Sequence, residues 1–83
     1  MNLSDMEIPA LKHNFKPGIY KHYKGKLYRL IAVGRHSETL EEMVLYQELY
    51  GDQAYWVRSA RMWDEMVESG GYTVKRFEWV REN

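Results

Sequence analysis

The sequence predicts a mainly β domain: about five short antiparallel strands curled into a small barrel, with one helical turn before the last strand. Three observations predict it. Short runs rich in Tyr, Val, Ile and Trp recur along the chain, and such side chains suit a pleated surface. Glycine turns punctuate them at Lys24-Gly25, Gly51-Asp52 and Gly70-Gly71. With 83 residues, a sheet of this kind has to curl to hide its edges.

Residues 1–16 read as a lead-in. Ser4 and Glu7 have capping-box spacing, but Pro9 stops a helix after one or two turns. Lys16-Pro17-Gly18 opens the domain, which runs over residues 17–80, and residues 81–83 are tail. Gly18 to Tyr23 is a first strand, and Lys26 to Arg35 a second. Leu30, Ile31, Ala32 and Val33 are apolar on both parities, which predicts cover on both faces, with Gly34 as the place of a bend. The polar His36-Ser37-Glu38-Thr39 is a loop. Glu42 to Tyr50 competes between helix and strand; Val44, Tyr46 and Tyr50 decide for strand. Ala54 to Ser59 is a fourth strand. Met62 with Met66 and Trp63 with Val67 are i,i+4 pairs, which predicts one or two helical turns over an open barrel end. Tyr72 to Val80 is the last strand.

Composition bounds the function. A chain this short buries only about 60% of its unfolded surface. Lacking cysteine, it has neither disulfides nor thiolate metal ligands, so apolar side chains must supply the core. They suffice: 45% of residues are hydrophobic and 14% aromatic, which argues against disorder. No run approaches the ~20 apolar residues of a membrane span. MNLSDMEIP is not a secretory signal, and a cytoplasmic location is the expectation. Net charge is zero but unevenly spread. Lys12 to Arg35 holds bases and no acid, whereas His36 to Gly70 is mostly acidic. Either the surface is dipolar and draws an anion to one side, or a basic strand pairs with an acidic one.

Several stretches carry the resemblance to a known family: Gly18-x-Tyr20-x-His22-Tyr23-Lys24-Gly25, His36-Ser-Glu-Thr39, Tyr46-x-x-Leu49-Tyr50-Gly51 and Trp56-x-Arg58. Together they resemble the bacterial family catalogued as domain of unknown function 1653, over roughly Pro17 to Val80. The resemblance implies a compact SH3-like barrel. It brings no catalytic role. Ser59 stands where the family usually carries proline, and the segment around Trp63 is not a close match.

Four groups of residues bear on chemistry. His36, Ser37 and Glu38 supply a base, a nucleophile and an acid, yet neighbours on an extended chain point to opposite faces, and no oxyanion hole is recognisable. The plainer reading is a loop held by its own side chains, with ligand contact as the alternative. His13, His22 and His36 with Glu38 and Glu41 lack zinc-ligand spacing, so no metal and no cofactor is expected. Lys21, Lys24, Lys26, Arg29 and Arg35 interleave with Tyr20, Tyr23 and Tyr28, as single-stranded nucleic-acid binders do. A dedicated domain of that kind is usually basic overall, and this one is neutral. Finally, Tyr46, Tyr50, Trp56 and Arg58 suit an aromatic groove, the plainer reading being that Trp56 is simply a core residue. A buried Arg58 needs an acid, for which Glu38, Glu41 or Glu48 are available, or else faces an anionic ligand.

The expectation is a non-catalytic binding module, not an enzyme. Its partner is a protein, a peptide or a small polar ligand. The alternatives are a nucleic-acid-associated accessory domain and a sponge for a nucleotide-like anion. The site residues expected are His22, His36, Ser37, Glu38, Thr39, Tyr46, Trp56 and Arg58.

Overall fold

The computed structural model describes residues 10–83; the Ser4–Glu7 capping box and Pro9 lie outside them. The described chain is mainly β, with β1 (Gly18–His22), β2 (Leu27–Arg35), β3 (Glu42–Glu48), β4 (Tyr55–Ser59), one helical turn α1 (Ala60–Trp63), β5 (Met66–Ser69), β6 (Tyr72–Lys75) and β7 (Phe77–Arg81). Five strands form an antiparallel sheet in the order β4-β3-β2-β1-β7, and β5-β6 is a separate hairpin. No ladder joins β4 to β7 among the described residues, so the sheet is not closed.

The turns follow from glycine and short polar side chains. Gly25 has φ +106°, and its N–H donates to the His22 carbonyl to close the β1–β2 turn. After β3 the chain reverses through Gly51 and Gln53, both at φ +54°.

In β2, apolar residues on both parities do not mean two covered faces. Leu30 is buried, whereas Ile31 is 42% exposed and Ala32 is exposed too. The register explains it: Leu30 faces Tyr46 and Ala32 faces Leu45, so Ile31 is the extra residue of a bulge. Past the bulge the parity flips, and Val33 turns inward opposite the fully buried Val44. The irregularity therefore sits at Ile31 rather than Gly34.

The segment after β4 also departs from expectation. The Ser59 hydroxyl accepts the Met62 N–H at 3.2 Å as an N-cap, but the helix ends at Trp63. Met66 to Ser69 is a strand, turned back by Gly70 and Gly71 at φ +58° and +83° into a tight hairpin. The helical turn thus precedes β5, not the last strand. Nor is Tyr72 to Val80 continuous. The Arg76 N–H donates to the Glu65 carbonyl, and its carbonyl accepts from Tyr23. Those bonds pull Arg76 out of line and split the stretch into β6 and β7.

The core joins Tyr20, Leu30, Val44, Tyr46, Ala60, Trp63 and Phe77 from β1, β2, β3, α1 and β7. It is largely aromatic. Phe77 lies at its centre, stacked on Trp63 at 3.8 Å and edge-on to His22, Tyr28 and Tyr46.

Candidate functional site

β3 and β4 set the site by alternation. Tyr46 lies opposite Trp56 and Val44 opposite Arg58, so these four side chains share the inner face. Tyr28 lies opposite Glu48 on the neighbouring ladder. Together with Tyr50, just past β3, they line an open pocket of about 270 Å³: Tyr28, Tyr46, Glu48, Tyr50, Trp56 and Arg58.

Hydrogen bonds hold its walls. The Trp56 indole donates to Glu48 Oε1 at 2.7 Å, and the Ala54 N–H donates to Glu48 Oε2 at 3.3 Å. This carboxylate fixes the indole although Trp56 is 51% exposed. The Tyr28 and Tyr50 hydroxyls meet at 2.6 Å. Burial, then the bond to Tyr50, raises the Tyr28 phenol above its ordinary value, so it stays protonated.

Arg58 is half-buried. Its Nε donates to the Tyr46 hydroxyl at 3.4 Å, and its guanidinium lies 5.6 Å from the Phe77 ring centre. The ion pairs among the described residues are His13–Glu42 and Arg76–Glu65, and neither includes Arg58. Glu48, the acid nearest in the pocket lining, is turned to the Trp56 indole instead. A guanidinium seated on aromatic rings without a carboxylate retains donors for an anionic or carbonyl group.

His22 stands behind the pocket, 6.3 Å from the Tyr28 ring and 5.0 Å from Phe77. Its Nδ1 accepts the Lys24 N–H at 3.1 Å. Burial lowers its pKa first, and the charges of Arg58, Arg76 and Lys24 lower it further. A neutral imidazole braces the turn there.

The 36–39 loop does not join this pocket. It caps the opposite end of the β2–β3 hairpin, beyond the Arg35–Glu42 pair. His36 Nδ1 accepts the Glu38 and Thr39 N–H groups at 3.1 and 3.3 Å, and Thr39 Oγ1 accepts from Glu41 N–H at 3.2 Å. Ser37 and Glu38 are exposed. The loop is held by its own side chains. Tyr46, Trp56 and Arg58 are thus brought together with His22 behind them, whereas His36, Ser37, Glu38 and Thr39 are grouped elsewhere. Tyr28 and Glu48 are the lining residues that sequence reasoning missed. The two-residue spacing of Tyr46 and Glu48, like that of Trp56 and Arg58, was the available signal.

Lysines near rings are partly used within the chain: Lys16 lies 3.6 Å over Trp79, and Lys26 4.8 Å from Tyr50 at the pocket rim. Among the described residues, no cluster of three His, Cys, Asp or Glu side chains stands ready for a metal. No helix among them is long and apolar enough to cross a membrane.

Comparison with known proteins gives a family but no activity. The family model described as a protein of unknown function (DUF1653) matches residues 18–79. The chain is also similar to the crystal structure of a DUF1653 protein from Bordetella bronchiseptica. Identity is 36% and the TM-score 0.77, covering 84% of this chain and 92% of that one. No curated protein matches.

Proposed function

The chain belongs to the DUF1653 family, and from that premise we propose that it is a non-catalytic binding module whose site is the Tyr46–Trp56–Arg58 pocket. Its ligand is an anionic, planar group on a peptide, a protein or a small molecule. The observation that carries this reading is Arg58: a half-buried guanidinium with no carboxylate partner among the described residues, beside an indole held open to solvent. Lys26 at the rim adds a second cation. Desolvated cation and ring together favour a planar anion over an aliphatic one.

The reading extends to the whole domain. The curl of β4-β3-β2-β1-β7 around one aromatic core fits a partly open SH3-like barrel, the Bordetella relative fits a bacterial-type domain, and the lack of cysteine fits a cytoplasmic location. The non-catalytic part of the reading is supported by His36, whose Nδ1 accepts two backbone N–H groups rather than the Ser37 hydroxyl.

The test is a titration followed by isothermal calorimetry, whose readout does not depend on the tryptophan removed in one of the variants. The probes are short peptides with a free C-terminal carboxylate, their amidated counterparts, and nucleoside monophosphates. Binding of an anionic probe by the wild type, lost in both Arg58→Ala and Trp56→Ala, supports the reading. Unchanged affinity in the two variants refutes the site. A steep fall of affinity for oligonucleotides with salt would instead favour the nucleic-acid alternative.

A further inference from the structure

β4 is an edge strand, and its outward side is free among the described residues. Its backbone pairs with β3 alone. Which of its groups point outward follows from one bond. The Glu48 N–H donates to the Ala54 carbonyl at 3.0 Å, so Ala54 turns its backbone toward β3. Alternation then turns Trp56 and Arg58 toward β3 as well, and leaves Tyr55, Val57 and the Ser59 N–H facing outward, the Ser59 carbonyl being taken by the first turn of α1.

Exposed edges are usually blunted by lysine, proline or extra charge. β4 has no lysine, proline or acid, its one charge, Arg58, lies on the inner face beside Tyr46, and Tyr55, Trp56 and Val57 are 63%, 51% and 61% exposed. The opposite edge, β7, carries Glu78 and Arg81.

We propose that β4 pairs with β4 of a second copy, antiparallel about a twofold axis through Val57. Outward groups then meet outward groups: Tyr55 faces Ser59 of the second copy, Val57 faces Val57, and Ser59 faces Tyr55. Trp56 comes opposite Arg58 of the second copy on the inner face, a cation–ring pair. The neighbouring registers are worse. Centring on Arg58 sets two guanidiniums against each other, and centring on Trp56 leaves Ser59 outside the paired strand. Self-pairing therefore joins Val57 to Val57 by two bonds and each Ser59 N–H to a Tyr55 carbonyl, and it places each cation on a ring, which selects a second copy over an arbitrary extended peptide. The axis also brings the two Trp56–Arg58 pockets side by side, so that Arg58 of each copy borders the pocket of the other. The inference does not depend on which ligand that pocket takes.

Sedimentation equilibrium from about 1 µM to about 1 mM, the range of ordinary weak to moderate dimers, tests it. Val57→Pro deletes an outward N–H and leaves the β3 bonds alone. Val57→Lys places two charges at the axis on side chains that are already exposed in the monomer. The expected result is a wild-type dimer, with both variants monomeric and retaining a wild-type β circular dichroism spectrum. If Val57→Pro unfolds, Val57→Lys decides alone. A wild type that stays monomeric to about 1 mM, or a folded variant that dimerises as tightly as the wild type, overturns the proposal.

Discussion

Trp63 and Phe77 lie face to face, ring centres 3.8 Å apart and planes 6° from parallel. One belongs to the helical turn and the other to the last strand, so the contact fastens α1 onto the sheet. Phe77 in turn carries the Arg58 guanidinium. The stack in the middle of the core therefore also backs Arg58, a lining residue of the proposed site.

Removing Trp63 should be severe. It is 1% exposed, and truncating a buried aromatic costs about 3–5 kcal/mol. A small domain has only about 5–15 kcal/mol in total. Urea denaturation of Trp63→Ala should show most of the stability gone. Trp63→Phe should lose less, because the indole N–H has no hydrogen-bond partner to forfeit. Equal losses would contradict this account of the core.

Two glycines should respond in opposite ways to alanine. Gly18 has φ +138°, and a Cβ there would run into the Arg81 carbonyl and lie 2.8 Å from Trp79 Nε1. Gly18→Ala should push β7 off β1 and destabilise by more than about 1 kcal/mol. At Gly34 a Cβ meets nothing within 4 Å and φ is not positive. Gly34→Ala should be neutral or stabilising by up to about 1 kcal/mol. Thermal melts of the pair check both.

Arg58→Ala should keep its fold. Stranding a buried carboxylate costs about 3–5 kcal/mol, but Arg58 has only a neutral hydroxyl and a ring as partners. The expected loss is about 1–2 kcal/mol, from one hydrogen bond and one cation–ring contact. Unfolding of the variant at room temperature would mean that Arg58 is a structural linchpin, and would count against the binding site.

Acid should destabilise the protein in two windows. His22 has a lowered pKa, so below 6.5 the unfolded chain binds a proton that the folded one refuses. Its contribution is present above that value and shrinks as pH falls through the folded pKa. Glu42 accepts the His13 N–H at 2.8 Å, which with the other His13 and Lys12 contacts holds its pKa at about 2 against an ordinary 4.5. Its contribution is present above 4.5 and is lost as pH drops toward 2. Melting temperature followed against pH should fall in both windows. His22→Gln should flatten the upper one and Glu42→Gln the lower. A melting temperature that rises on acidification below 6.5 would refute the His22 assignment.

Much of this was legible in the residues. Alternation and glycine turns located β1 to β4, and the two-residue spacing of Trp56 and Arg58 located the centre of the pocket. The β5–β6 hairpin was legible too, since Gly70-Gly71 between two alternating runs is a hairpin signal. The i,i+4 spacing of Met62 with Met66 and Trp63 with Val67 concealed it, because methionine and tryptophan suit either structure. The bulge at Ile31 was not legible: the register that creates it depends on β3, remote in sequence. Nor was the destination of Arg58. Its acids were chosen by charge alone, whereas side-chain direction puts Glu38 and Glu41 in the hairpin loop and turns Glu48 to an indole.

The ladder between β1 and β7 also governs the order of assembly. It joins Ile19 to Arg81 and His22 to Phe77. Contacts so far apart in sequence form late, because a long loop must close before they bring any reward. Strands β1 to β4 can zip from neighbour to neighbour as the chain lengthens. Phe77, the residue on which the core rings converge, is absent until nearly the whole domain has been synthesised. During synthesis, then, the β1–β4 meander waits with its aromatic side uncovered, and that nascent species, rather than the finished domain, is where chaperone capture or misassembly would occur.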